Sequence, residues 1–519
     1  MMRQNYVKNA AVLTGSGLVL RLAGMLFRVY LAGALGSEGL GLYQLILAFY
    51  SVFITLATSG VSVAATRLVA EELGRSMAAA RAVVRRLCAV ALALGCAAGA
   101  AQFGLAGLAA RWWLGDTRAT ASIRTLAFSL PFMALAAVLR GAFLALRRVG
   151  PNVVSQLVEQ GFRIAAVFWL LQKLQGAEVA LRCQAVLLGE TTSEMLSTGL
   201  MMMFYRRECC RMPTEPGKVP ADINGRIWQI LWPVEGGRCL SSGLHTAENM
   251  LVPACLAVYL AADGGRTAAV AQYGVLKGMA LPLLYFPFSL LGSLATLLMP
   301  EITEAHVKGH IRTLRTLLDR MLALTMYASA LAGAAFWVCA APLAELLYQS
   351  SEAAFYIRVL APVMPLMYLE NMVDGAIKGI GEQKAAFGYS AWDSTLRIAG
   401  VILLLPRMGM PGFLLVICGS NLFTCLLNTR RLLQVTGLPL RTGRWICAPA
   451  LAAFASVTAG RTVLVGLAGQ HPAVQLLAAA AAMGAVYLPV AWFLGLNEAA
   501  AGICKKKSKK IKKSVDKTV

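Results

Sequence analysis

PFMALAAVLRGAFLALRRVGPNVVSQLVEQGFRIAAVFWLL, residues 131–171, and PLMYLENMVDGAIKGIGEQKAAFGYSAWDSTLRIAGVILLL, residues 365–405, are one pattern written twice. Pro131 aligns with Pro365, Met133 with Met367, Gly141-Ala142 with Gly375-Ala376, and Arg163-Ile164-Ala165 with Arg397-Ile398-Ala399, all at an offset of 234. A second register, offset 230, pairs Tyr43 with Tyr273 and Glu71 with Glu301. Chance likeness between apolar helices does not reproduce an RIA triplet together with loop prolines and glycines. The chain is therefore an internal duplication.

The duplicated unit is made of membrane helices. The 519 residues are 58% hydrophobic and only 14% charged, where a soluble domain carries roughly 25% charged residues. Apolar runs of about 20 residues, the length that crosses a bilayer, recur throughout. About fourteen such spans are expected. The fold class is thus an all-α polytopic membrane protein. A transmembrane β-barrel would show short alternating segments instead. The offset covers six spans, an even number, so both copies enter the membrane in the same sense. They are related by a pseudo-two-fold axis along the membrane normal, as parallel repeats are. The expected organisation is an N-lobe at 1–215, a C-lobe at 216–440, two further helices at 441–500 and a basic tail at 501–519.

Charge sets the expected orientation. The net charge is +23, and the arginines and lysines crowd into the N-terminus and alternate loops, such as Arg81, Arg85 and Arg86, then Arg206, Arg207 and Arg211. Positive residues stay cytoplasmic, so both termini are expected in the cytoplasm, with the chain multi-pass in the cytoplasmic membrane. The tail KKKSKKIKKSVDK adds eight lysines and reads as a segment held near anionic lipid. It has no aromatic interleaving and no folded domain to present it to nucleic acid. The N-terminal apolar run is too long for a signal-peptide core and holds two arginines, so it reads as an uncleaved first span.

Those two arginines, Arg21 and Arg28, are the strongest functional signal. Seven residues apart is two helical turns, so they form one cationic stripe. A charge at bilayer depth costs at least ~2.5–3.5 kcal/mol and so faces a bundle interior or a wet cavity. Further along, RIWQILWPVEGGRCLSSGLHTAENMLVP places Glu235, Arg238, His245 and Glu248 on one broad helical face. Lys277 lies in the next span. Glu370, Asn371, Asp374 and Lys378, with Asp393 and Arg397, have spacings that allow i,i+4 ion pairs. Unpaired, the group Glu370, Asn371 and Asp374 would suit a coupling cation, H⁺ or Na⁺. The twelve cysteines show no metal-ligand spacing and read as buried reduced thiols. No cofactor and no metal is expected. Motifs of serine hydrolases, zinc proteases and ATP-binding loops are lacking, so the chain reads as a transporter rather than an enzyme.

RLAGMLFRVYLAGALGSEGLGLYQ (21–44), FITLATSGVSVAATRLVAEE (53–72) and YGVLKGMALPLLYFPFSLLGSLATLLMPEITEA (273–305) resemble the stage V sporulation protein B type of polysaccharide biosynthesis transporter. That family lies within the multidrug/oligosaccharidyl-lipid/polysaccharide superfamily, beside the lipid II flippases and the MATE-type efflux antiporters. The resemblance spans essentially the whole chain. It implies a 6+6+2 helix arrangement with a cavity lined by the first, second, seventh and eighth helices. It also implies alternating access and an undecaprenyl-diphosphate-type lipid-linked oligosaccharide or peptidoglycan precursor as substrate. Arg21, Arg28, Arg238 and Lys277 would bind the anionic headgroup. Glu235, His245, Glu248, Glu370, Asn371 and Asp374 would supply coupling or polar lining. Lipid II flippases carry a similar arginine pair one residue closer together. A cation-coupled multidrug efflux antiporter is the alternative; its mostly cationic substrates would want carboxylates, not four basic residues, in the cavity. A membrane-embedded glycosyltransferase would need a large outer loop, which is lacking. A non-transporting scaffold among cell-wall synthesis proteins is a further alternative.

Overall fold

The structure, a computed structural model, describes residues 2–74, 76–211, 223–262 and 264–496. The linker around 212–222 and the basic tail lie outside the described residues. Among the described residues the backbone is helical, with no strand. Bilayer physics demands this of a spanning chain, because a helix satisfies every backbone N–H and C=O within its own segment.

α1 (Met2–Leu73) is broken at Gly36, whose φ of 72° lies in the left-handed region open to glycine. α2 (Met77–Leu108) begins at Ser76, whose side chain caps the Ala79 amide, and ends in a π-turn, Ala109–Leu114. α3 (Ala119–Ala127), α4 (Leu130–Ala145), α5 (Gly150–Lys173), α6 (Val179–Arg211) and α7 (Ile223–Tyr259) follow. α8 (Gly265–Gly274) runs through a π-helical stretch, Val275–Ala280, into α9 (Leu281–Val307). α10 (Ile311–Tyr348), α11 (Ser351–Leu360), α12 (Met364–Gly379) and α13 (Gln383–Thr436) come next, and α13 is broken at Gly409. α14 (Ala448–Gly466) and α15 (Pro472–Ala491) end the described chain.

Eight stretches among the described residues are long and apolar enough to cross a membrane. Two of them, of 59 and 54 residues, contain the breaks at Gly36 and Gly409. Since about 20 residues span a bilayer, each supplies two successive segments. α5, α6, α7 and α9 are also long, 24 to 37 residues. They interrupt their apolar surface with ionisable residues, and it is these helices that bear on function. The protein is multi-pass.

The chain packs as two compact units. The first runs to Gly278 and adds Val401–Gly409; the second holds Met279–Gly400 and the chain from Met410. In the first unit α1 is central, packed on α2, α4, α7 and α8. Its crossing with α8 rests on Gly41 and Gly274, where an added methyl would overlap backbone of the facing helix. Lipid gives helices no hydrophobic reason to associate, so such small-residue contact supplies the packing energy. α7 and α8, which the repeat assigns to the second half of the sequence, thus pack by contact with α1–α6.

In the second unit a core of Leu318, Met321, Leu322, Val373, Ile377, Leu432 and Trp445 joins α10, α12, α13 and the turn before α14. α14 and α15 pack on each other and on α10. Tyr327 and Tyr487 are buried at that junction, and the Tyr487 hydroxyl donates to the Tyr327 carbonyl at 2.6 Å.

Candidate functional site: a hydroxyl-lined basic cavity in the first unit

α1 and α7 run antiparallel, zipped by polar contacts whose numbers rise along one helix as they fall along the other. Thr246 Oγ1 donates to the Ala48 carbonyl at 2.8 Å. Thr55 Oγ1 and Ser242 Oγ share a hydrogen bond at 3.2 Å. Glu235 accepts from Ser59 Oγ and from the Gly60 amide, both at 2.7 Å. Arg226 closes the row on Glu72 at 2.7 Å, and it also binds Glu71.

Beside this seam lies a cavity of ≈700 Å³. Three helices each give it one stripe at helical spacing. α1 contributes Ser51, Thr55, Thr58, Ser59 and Ser62; α4 contributes Met133, Ala137 and Arg140; α7 contributes Arg238, Ser241, Ser242 and His245. Several hydroxyl protons are already used on the helix backbone: Ser51 on Ala48, Thr55 on Ser51 and Thr58 on Ile54 carbonyls. Those oxygens are left mainly as acceptors, which suits sugar hydroxyls.

The basic groups differ in how far they are committed. Arg140 binds Glu159 of α5 at 2.9 Å, and its buried Nε has no hydrogen-bond partner. Glu159 also binds Arg163 at 2.9 Å, which lies 3.6 Å from Glu194 of α6. An alternating row of charges therefore stands behind the cavity wall and partly neutralises Arg140. Arg238 is exposed to the cavity and has no carboxylate partner among the described residues. His245 sits 3.9 Å from the buried carboxylate of Glu248.

Of the residues singled out in the sequence, Arg238 and His245 meet in this cavity. Glu235 is turned to the α1 seam, and Glu248 is buried behind His245. Arg21 and Arg28 are exposed on the first segment of α1 and do not line this cavity. Lys277 is half-buried in the π-helical stretch and does not line it either. Glu370, Asn371 and Asp374 lie on α12 in the second unit. There Asp374 pairs with Lys378 at 2.5 Å, and the Asn371 amide donates to the Met367 carbonyl of its own helix. Asp393 accepts from Ser420 Oγ at 2.5 Å. Sequence reading overlooked Arg140, although the repeat offset of 234 maps it onto Asp374, a position already singled out.

Comparison with known proteins agrees with the resemblance read from the sequence. The family described as "Polysaccharide biosynthesis protein" matches residues 6–213. Stage V sporulation protein B of Bacillus subtilis (strain 168) is 25% identical over 501 residues, covering 94% of this chain and 95% of that one. Sporulation protein YkvU of the same organism is 22% identical, covering 82% and 93%. Among solved structures, the lipid II flippase MurJ in an inward closed conformation superimposes with a TM-score of 0.71 at 12% identity, covering 94% of this chain and 99% of that one. An inward-facing MATE family multidrug resistance transporter gives 0.63 at 14% identity, covering 81% and 99%. At such identities these structures establish a shared fold and no more.

Proposed function

We propose that this protein is a flippase for an undecaprenyl-diphosphate-type lipid-linked oligosaccharide or peptidoglycan precursor, lipid II-like, moved across the bacterial cytoplasmic membrane by alternating access. The observation that carries the reading is the cavity where Arg238 and Arg140 face serine and threonine hydroxyls. Arginine grips phosphate oxygens bidentately and stays charged at any working pH. The hydroxyls complement the sugar. A volume of ≈700 Å³ lies within the ~300–1,000 Å³ typical of ligand sites, enough for a headgroup. The isoprenoid tail remains in the bilayer, where its transfer costs nothing.

Arg21, Arg28 and Lys277 complete the proposed headgroup set at other stages of the cycle. Energy is proposed to come from an H⁺ or Na⁺ gradient through Glu370, Asn371 and Asp374 once the Asp374–Lys378 pair opens, since the sequence holds no ATP-binding loop. Both termini are placed in the cytoplasm, with the basic tail against anionic lipid.

The efflux alternative is less well supported, because no carboxylate is among the residues that line the cavity, and Glu235 on the same helix is engaged by Ser59 and Gly60. The test is transport of a fluorescent diphosphate-linked precursor in proteoliposomes. The wild-type chain is expected to move it and Arg238→Ala to lose that movement while remaining folded. Equal transport by the variant, or resistance to cationic dyes in its place, would overturn the reading.

A further inference from the structure

A second basic pocket lies in the first unit, apart from the cavity above. It is a hollow of ≈330 Å³ where the end of α2, the π-turn and the start of α3 meet, lined by Leu108, Arg111, Trp112, Thr117, Thr120 and Arg124. The turn that shapes it is firmly built. Gly115 takes φ 61°, and Arg266 of α8 donates to the carbonyls of Trp113 and Leu114 at 2.6 and 2.7 Å. Arg118 forks Asp116 and also reaches Glu178 at 2.9 Å. Those two arginines are spent on structure.

Arg111 and Arg124 are not. Neither has a carboxylate partner among the described residues. The Arg124 guanidinium lies over the Phe103 ring, 4.9 Å from its centroid, a cation–π contact that uses none of its N–H donors. Two guanidinium groups therefore converge on one hollow on the side expected to face outward, where basic residues are otherwise scarce. The flank is apolar: Leu105, Leu108, Phe103 and Phe128 are exposed, and Trp112 is 78% exposed. Exposed tryptophan beside arginine marks headgroup depth in a membrane protein.

We infer that this hollow binds the headgroup of an anionic phospholipid. The phosphodiester sits between Arg111 and Arg124, and the acyl chains lie along Leu105 and Leu108. Free phosphate would gain the two arginines but nothing from the apolar flank.

The test uses the purified full-length chain in mild detergent, titrated with phosphatidylglycerol, phosphatidylcholine or inorganic phosphate, with bound lipid counted by native mass spectrometry. The wild type should retain one more phosphatidylglycerol than Arg111→Gln/Arg124→Gln, with binding of that lipid weakened roughly 30-fold, taking about 1 kcal/mol per arginine near a lipid surface. Phosphatidylcholine should not distinguish the two proteins. Equal phosphatidylglycerol counts overturn the proposal, and so does displacement by millimolar phosphate. A second measurement needs no arginine variant. Brominated phosphatidylglycerol should quench Trp112 emission more than brominated phosphatidylcholine, and the difference should vanish in Trp112→Phe. Quenching without headgroup preference would also overturn it.

Discussion

Glu235 of α7 accepts a hydrogen bond at 2.7 Å from the backbone amide of Gly60, in the middle of α1. The carboxylate reaches that amide because position 60 has no side chain: an added methyl carbon would lie 2.8 Å from Glu235 Oε1 and 2.9 Å from Leu231. Gly60→Ala should therefore part the two helices locally and lower thermal stability. Glu235→Gln keeps the shape and loses the charge-assisted bonds, at a cost of about 1.5–3 kcal/mol. Because both changes strike one contact, the double variant should cost less than the sum of the singles. Melting of the purified protein in detergent measures all three; strict additivity would mean that Glu235 and Gly60 do not act as a unit.

The two cavity arginines should not be equivalent. Arg140 shares Glu159 with Arg163, whereas Arg238 has no carboxylate to share among the described residues. Loss of Arg238 removes a whole positive charge from the ligand. Loss of Arg140 leaves Glu159 paired with Arg163. Arg238→Gln is expected to weaken binding of a diphosphate-bearing precursor by about tenfold to a hundredfold, as the loss of one charge-assisted bond implies. Arg140→Gln should weaken it less. Isothermal titration with a short-chain precursor analogue ranks them, and the reverse order would place the phosphate nearer α4 than α7.

Arg226 and Glu72 tie the start of α7 to the end of α1. Glu72 is fully buried, with one oxygen bound to Arg226 at 2.7 Å. Arg226→Ala should cost about 1.5–3 kcal/mol, the loss of a hydrogen bond between charged groups. Adding Glu72→Gln should recover part of that loss, since the buried charge that Arg226 compensated goes with it. Chemical unfolding of the single and double variants reads the difference. No recovery would mean that Glu72 finds another cation once Arg226 is gone.

What the sequence disclosed and what it withheld follow from the range of the interactions. Helices and the duplication are written in local periodicity and in direct self-comparison, so the RIA triplets were readable. The polar face of α7 was readable too, because Arg238 and His245 are seven residues apart on one helix. The partners of that face were not. Nothing near Glu235 in the sequence points to Gly60, because the bond joins helices 175 residues apart. Arg140 lies about two helical turns before Arg147 and Arg148, and its local sequence does not distinguish it from those loop arginines. Only its position on the repeat, opposite Asp374, sets it apart. The arginine pair of the first span was conspicuous for its cost in lipid, yet Arg21 and Arg28 stand outside the cavity that Arg238 lines.

Asp319 of α10 anchors the chain that leads into the last two helices. One carboxylate oxygen accepts from Trp445 Nε1 and the other from Arg444, each at 2.9 Å, and Arg441 approaches to 3.5 Å. Both Asp319 and Trp445 are buried, so the Trp445 N–H has no water to turn to. Asp319→Asn retains one acceptor oxygen but presents an N–H to the other donor, which should cost about 1–3 kcal/mol. Asp319→Ala leaves the buried Trp445 N–H without its acceptor and also removes the Arg444 pair, and should cost more. Because α14 packs on α10 just beyond Trp445, the loss should appear first as local loosening of the turn at 443–447. Hydrogen exchange there should rise in Asp319→Asn before the α10–α12 core is affected. Exchange rising uniformly across the second unit would instead show that Asp319 supports the whole bundle.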